Sequence, residues 1–120
     1  MRIALLAAAI LLGAQPASAG DTYGAIAVDP NNGAFGYSTG ASDQLEAEGI
    51  ALANCIAEGD NCEIAIWFKN GCGAVAAANN GAWGSGWGGN PEIAQNHAIR
   101  ECQQNGGANC STQVYYCSSE

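Results

Sequence analysis

A chain of 120 residues with eleven Asp and Glu against three Lys and Arg, and a formal net charge of −8, holds one domain's worth of protein. So acidic a balance repels nucleic acid and anionic lipid, which are excluded as partners, and leaves a basic protein or peptide compatible. Six cysteines beside a single histidine, with no Cys-x-x-Cys pair, disfavour zinc and point to disulfides; neither a metal nor any other cofactor is expected.

In chain order, residues 1–19 read as a cleavable signal peptide. Arg2 supplies the positive start, Ile3 to Leu12 the apolar stretch, and Ala17-Ser18-Ala19 the small-x-small cleavage pattern. The apolar run falls short of the roughly 20 residues that span a bilayer, so no stable membrane insertion is expected once it is removed. Residues 20–120 then form a single disulfide-rich domain in a periplasmic or secreted setting, where only Lys69 and Arg100 oppose the carboxylates.

That domain repeats itself, residues 23–70 as repeat one and 71–120 as repeat two. Gly24-Ala25-Ile26-Ala27 matches Gly73-Ala74-Val75-Ala76, and Asn32-Gly33-Ala34-Phe35-Gly36 matches Asn80-Gly81-Ala82-Trp83-Gly84. Farther on, Cys55 answers to Cys102, Cys62 to Cys110, and Ile66-Trp67-Phe68 to Val114-Tyr115-Tyr116. Two copies argue for one pseudo-symmetric domain rather than a solenoid.

Each copy predicts the same elements. A strand over 24–29 leads through an Asn-Gly turn, whose glycine supplies positive φ, into a strand over 34–39. Asp43 with Glu46 forms a capping box for a helix running to about residue 57, and Gly59 ends it in the left-handed conformation. A strand over 63–69, rich in β-branched and aromatic residues, closes the copy. Repeat two follows with strands over 73–78 and 82–87. Its helix is capped by Asn90, has Pro91 at its first position and is ended near 104 by Gly106-Gly107; the last strand covers 111–117. The fold class is α+β: two pseudo-symmetric β-β-α-β repeats forming antiparallel sheet, with both helices packed on one side of it.

Equivalent cysteines should do equivalent jobs. Bridges Cys55–Cys62 and Cys102–Cys110 would clip each helix to its own next strand, leaving Cys72 and Cys117 to pair and tie the two halves together. A swapped arrangement, 55–110 with 62–102, also fits the repeat but needs adjacent helices.

Tyr23-Gly24-Ala25-Ile26-Ala27, Ala51-Leu52-x-x-Cys55 with Cys62, Gly71-Cys72-Gly73-Ala74-Val75-Ala76 and Ala98-Ile99-x-x-Cys102 resemble the bacterial domain of unknown function numbered 4189. The resemblance covers nearly all of the chain after residue 19. It implies a fold and export, and since that family has no established general activity it transfers no active site.

Chemistry is sparse. Every cysteine has a structural use, so none is left as a nucleophile. His97 stands where repeat one has Ile50 and lies about 140° around the helix from Cys102, which predicts a solvated rim position. Glu46 and Glu48 face different sides of their helix, Asp29 reads as a turn residue, Asp43 as a cap, and Asp60 and Glu63 flank a loop. Gly84-Ser85-Gly86-Trp87-Gly88-Gly89 fits G-x-G-x-x-G, but a hairpin strand precedes it where a dinucleotide site needs a parallel βαβ unit. Read as a surface, the same loop makes Trp87, with Tyr37 in the matching stretch of repeat one, the candidate ligand-binding residues. Trp87 is either exposed for recognition or folded back over an alanine-rich core. The expected function is a non-enzymatic binding module for a protein or peptide, such as an inhibitor, immunity-type or host-directed protein. A structural or stress-protective envelope component and a small hydrolase using His97 are the alternatives.

Overall fold

Two tight hairpins open the two repeats, each closing on an Asn-Gly turn in which Gly33 and Gly81 take φ of 79° and 92°. In the computed structural model, which describes residues 20–119, the expected signal segment 1–19 lies outside the described residues. Strands β1 (Tyr23–Val28) and β2 (Phe35–Ala41) form the first hairpin, followed by helix α1 (Gln44–Ile56) and strand β3 (Glu63–Lys69). Repeat two supplies β4 (Cys72–Ala77), β5 (Trp83–Gly88), α2 (Pro91–Gln104) and β6 (Ser111–Cys117). Both N-caps form, with Asp43 accepting from the Glu46 N–H and Asn90 from the Ile93 N–H, but the expected capping box closes one residue early, the Glu46 carboxylate accepting from the Ser42 N–H. One helix end differs from expectation. Gly106 has the left-handed φ of 93°, but Gly59 does not use that region; it is small because Asp29 presses on it, and a methyl there would stand 2.9 Å from the Asp29 Oδ2.

The strands form two antiparallel sheets, ordered β2-β1-β3 and β5-β4-β6. Even their irregularities repeat. A bulge leaves Ala65 unpaired between Ile64 and Ile66 opposite β1, and another leaves Gln113 unpaired between Thr112 and Val114 opposite β4.

Expected on one side of the sheet, the helices instead occupy opposite outer faces. The central strands are apolar on both faces, and one helix can cover only one. Ala25 and Ala27 face α1, Ala74 and Ala76 face α2, and the alternate residues Ile26, Val28 and Val75 join Phe68 in a core between the sheets. The layers run α1, first sheet, second sheet, α2. Strand β3 lies against β5 and β2 against β6, so the pseudo-twofold axis runs along the strands between β1 and β4.

Each helix approaches its sheet closely. The buried rows are Ala47, Ala51, Cys55 on α1 and Ala94, Ala98, Cys102 on α2. They meet glycine: a methyl on Gly36 would overlap the backbone at Ala51 and Cys55, and one on Gly84 the Cys102 nitrogen. The last residue of each row bridges to the start of the next strand, Cys55–Cys62 and Cys102–Cys110, with Cα atoms 6.1 and 6.2 Å apart. Helices on opposite faces leave no route for the swapped pairing. Cys72 and Cys117 do pair, but they do not tie the halves together. They stand opposite each other on neighbouring strands β4 and β6, Cα atoms 3.9 Å apart, and so clamp repeat two alone. The inter-sheet core joins the halves, with the Gly40 N–H donating to the Ser118 carbonyl at 2.8 Å and the Thr22 and Ser118 hydroxyls meeting at 3.0 Å.

Adding one methyl tests the close approach. Gly84→Ala should lose about 1–3 kcal/mol of unfolding free energy in urea, while Gly49→Ala, which points into open space on α1, should gain up to about 1 kcal/mol. For the disulfides, closing 45 residues of chain is worth about 4 kcal/mol in the chain-entropy account, and closing 7 or 8 about 2.5 kcal/mol. Replacing Cys72 and Cys117 by alanine should therefore lower the denaturation midpoint more than replacing Cys55 and Cys62.

Candidate functional site

Alternation along β5 positions the candidate residues. Gly84, Gly86 and Gly88 face α2, and a methyl on any of them would overlap Cys102, Ala98 or Ile93. Trp83, Ser85 and Trp87 must then face the other way. The first two glycines of the G-x-G-x-x-G pattern, Gly84 and Gly86, are thus accounted for by helix packing, whereas the third, Gly89, faces open space. Trp83 packs against the inter-sheet core, whereas Trp87, near the end of the strand, is 57% exposed.

Trp87 stands over the edge strand β3, where it shares a shallow depression with Ile64, Ile66, Trp67 and Lys69. Trp67 and Phe68 point to opposite faces of their strand and end differently: Phe68 is fully buried between the sheets, and Trp67 is 40% exposed. The Trp67 ring stacks on Tyr23 with centroids 6.3 Å apart. Lys69 Nζ stands 5.7 Å from the centre of the same Tyr23 ring and 3.7 Å from Asp21 Oδ2. Sequence reasoning passed over Trp67 as a site residue, although period two along 63–69 already separates it from Phe68. Its neighbour across the depression, Trp87, belongs to the other repeat, which strand spacing does not reveal.

Tyr37 is elsewhere. It lies on β2, at the flank opposite β5, where its ring stacks on Tyr116 with centroids 3.7 Å apart and planes 5° from parallel. Asn54 Nδ2 donates to its carbonyl at 3.1 Å. The structure does not bring the two candidate residues together: Trp87 and Tyr37 mark opposite flanks of the sandwich.

His97 is exposed on α2, as its spacing from Cys102 predicts, with Nδ1 3.0 Å from the Trp87 carbonyl oxygen. Ser85, the nearby hydroxyl, donates to the Ala65 carbonyl at 2.9 Å, and its backbone N–H donates to the Glu101 carboxylate. The Ser85 hydroxyl and the His97 ring thus hydrogen-bond to different partners. All six cysteines are bridged. Among the described residues no group of three or more His, Cys, Asp or Glu could hold a metal ion.

Two carboxylates have unusual surroundings, and both serve the fold. Asp29 is buried and accepts N–H donors from Asn31 at 2.9 Å, Asp60 at 2.9 Å and Asn61 at 3.0 Å, fastening the loop after α1 to the β1–β2 turn. The Asn61 bond first, then that of Asn31, holds its carboxyl below the ordinary aspartate range despite burial. Glu46 accepts from the Ser42 N–H at 2.7 Å and hydroxyl at 2.8 Å, which lower it too. Stabilisation from a depressed carboxyl is complete above its unfolded value and is lost as pH falls through the lower folded value. Thermal unfolding should therefore show stability level down to about pH 4 and falling below it. Asp29→Asn should flatten that fall while lowering stability at neutral pH.

No helix among the described residues is long and apolar enough to cross a membrane. A family model described as a domain of unknown function, DUF4189, matches residues 23–117. No curated protein and no solved structure matches the chain.

Proposed function

The chain belongs to the family of the domain of unknown function DUF4189, and from that footing we propose that it is an exported, non-enzymatic binding module that engages a protein or peptide through the Trp87 flank. One observation carries the reading. Trp87 is 57% exposed on a strand whose every second residue is pressed against α2, so a large aromatic is displayed from a backbone with little freedom. Such anchors are over-represented where binding energy is concentrated, because they add contact area at small conformational cost. Trp67, Lys69 and the apolar edge of β3 extend the surface. The acidic balance of the chain favours a neutral or basic partner over an anionic one.

Export rests on the signal-like pattern of residues 1–19 and on three disulfides in a small domain, which persist in oxidising compartments. The domain is tied down close behind the expected cleavage point: the Thr22 N–H donates to Asn70 Oδ1 at 3.0 Å, and Asn70 Nδ2 to Asp21 Oδ1 at 3.1 Å. A non-enzymatic reading is supported by the bridged cysteines and by the separate hydrogen bonds of Ser85 and His97.

The exported protein should carry Gly20 as its first residue by intact mass, and should capture a partner from periplasmic or host extract under cross-linking. Trp87→Ala should weaken that capture at least tenfold, with the melting temperature little changed. Capture of the same partner, undiminished in Trp87→Ala, would remove the flank from the proposal.

A further inference from the structure

The far end of β5 holds a second feature, independent of the Trp87 flank. The inter-sheet core is filled unevenly along the pseudo-twofold axis. At the Cys72 end the Phe68 ring lies between Gly24 and Gly73, equivalent positions of the two repeats, and a methyl on either would overlap it. Ile26 and Val75 fill the middle. At the turn end the inner residues are Val28 and Ala77, with Ala34 and Ala82 behind them. Sheets packed face to face stand about 10 Å apart, and side chains this short do not close that distance. A crevice of about 190 Å³ remains between the two Asn-Gly turns, walled by the equivalent aromatics Phe35 and Trp83.

We propose that this crevice binds a small, uncharged molecule with one aromatic ring and a hydroxyl group. The size suits one aromatic ring, since an apolar cavity of about 150 Å³ accepts benzene. Val28, Val75, Val114 and the paired alanines supply an apolar interior, which favours such a ring over water. Gln113 supplies the polar handle. As the bulged residue of β6 it stands at the rim, and its amide nitrogen donates to the Ser111 carbonyl at 3.1 Å and hydroxyl at 3.3 Å. Its amide oxygen is thereby left as an acceptor for a hydroxyl donor. Asp29, though it borders the crevice, spends its carboxylate on three N–H groups, that of Asn31 in its own turn and those of Asp60 and Asn61 in the loop after α1. The surplus of carboxylates in the chain disfavours an anionic ligand such as an aromatic acid.

The probe is p-cresol, titrated into the full mature protein while the methyl signals of Val28, Val75 and Val114 are followed by NMR. Saturable shifts of these methyls with a dissociation constant of about 1 mM or tighter are expected, the order such a small ligand can reach. Ala77→Leu fills the crevice and should weaken binding at least tenfold with no loss of melting temperature; Val28→Phe, from the opposite sheet, is the second filler should the first fail to fold. Benzoate should bind at least tenfold more weakly. Shifts that do not saturate, or equal binding in a folded filler variant, would overturn the site. Tighter binding of an acetylated tyrosine amide than of p-cresol would overturn it in favour of a peptide side chain. Trp87→Ala should leave p-cresol binding unchanged, so this site and the flank stand or fall separately.

Discussion

The close seating of each helix on its own hairpin is the constraint from which the rest of the structure follows. Alanine rows on α1 and α2 let the helix backbones come within reach of the strand backbones, and only glycine fits beneath them at Gly36 and Gly84. Three consequences come with that approach. The third residue of each row is a cysteine placed beside the start of the next strand, so the local disulfide closes with ordinary Cα separation. The large side chains on β2 and β5 are driven to the face away from the helix, which displays Tyr37 and Trp87, while only small residues such as Ser38 face the helix. And because alanine buries little apolar area, cross-links and buried hydrogen bonds such as those of Asp29 carry more of the stability than in a domain built on leucine.

Two sheets related by a twofold axis cannot use equivalent residues at the axis itself, and this is where the repeats part company. The space between Gly24 and Gly73 admits one ring, and Phe68 takes it. Its counterpart Tyr116 is displaced to the β2–β6 flank, where it stacks on Tyr37. On the opposite flank β5 carries Ser85 in place of a tyrosine, its hydroxyl bonded to the bulged Ala65, and Trp87 is left standing over β3. Asp29, the centre of a three-donor clip, has Ala78 as its equivalent. The surfaces that distinguish this protein therefore lie where exact symmetry is sterically impossible or has been abandoned, not in the shared framework.

Most of the local structure was legible because its causes are local. Asn-Gly turns, the Asp43 and Asn90 caps, the alternation along the strands and the seven- and eight-residue cysteine spacings each act within a few residues of chain, and the elements fall within a residue or two of their expected bounds. The candidate site was legible only in part. Spacing put Trp87 on a strand end and His97 on a helix rim, but it could not pair Trp87 with Trp67, since the two come from different repeats and meet only when β5 lies against β3. For the same reason it grouped Tyr37 with Trp87: equivalence in a repeat is not proximity, and a twofold axis carries equivalent edges to opposite flanks.

What the sequence determined by itself, then, is the repeat and its elements, together with the glycine positions that make close helix packing possible. Tertiary structure alone decided that the strands form two sheets rather than one, that the helices lie on opposite outer faces, and that Cys72–Cys117 clamps one half instead of joining two. The physical reason is common to all three. Ile26, Val28 and Val75 present a second apolar face that no helix covers, and only another sheet, brought from the other repeat, removes that face from water.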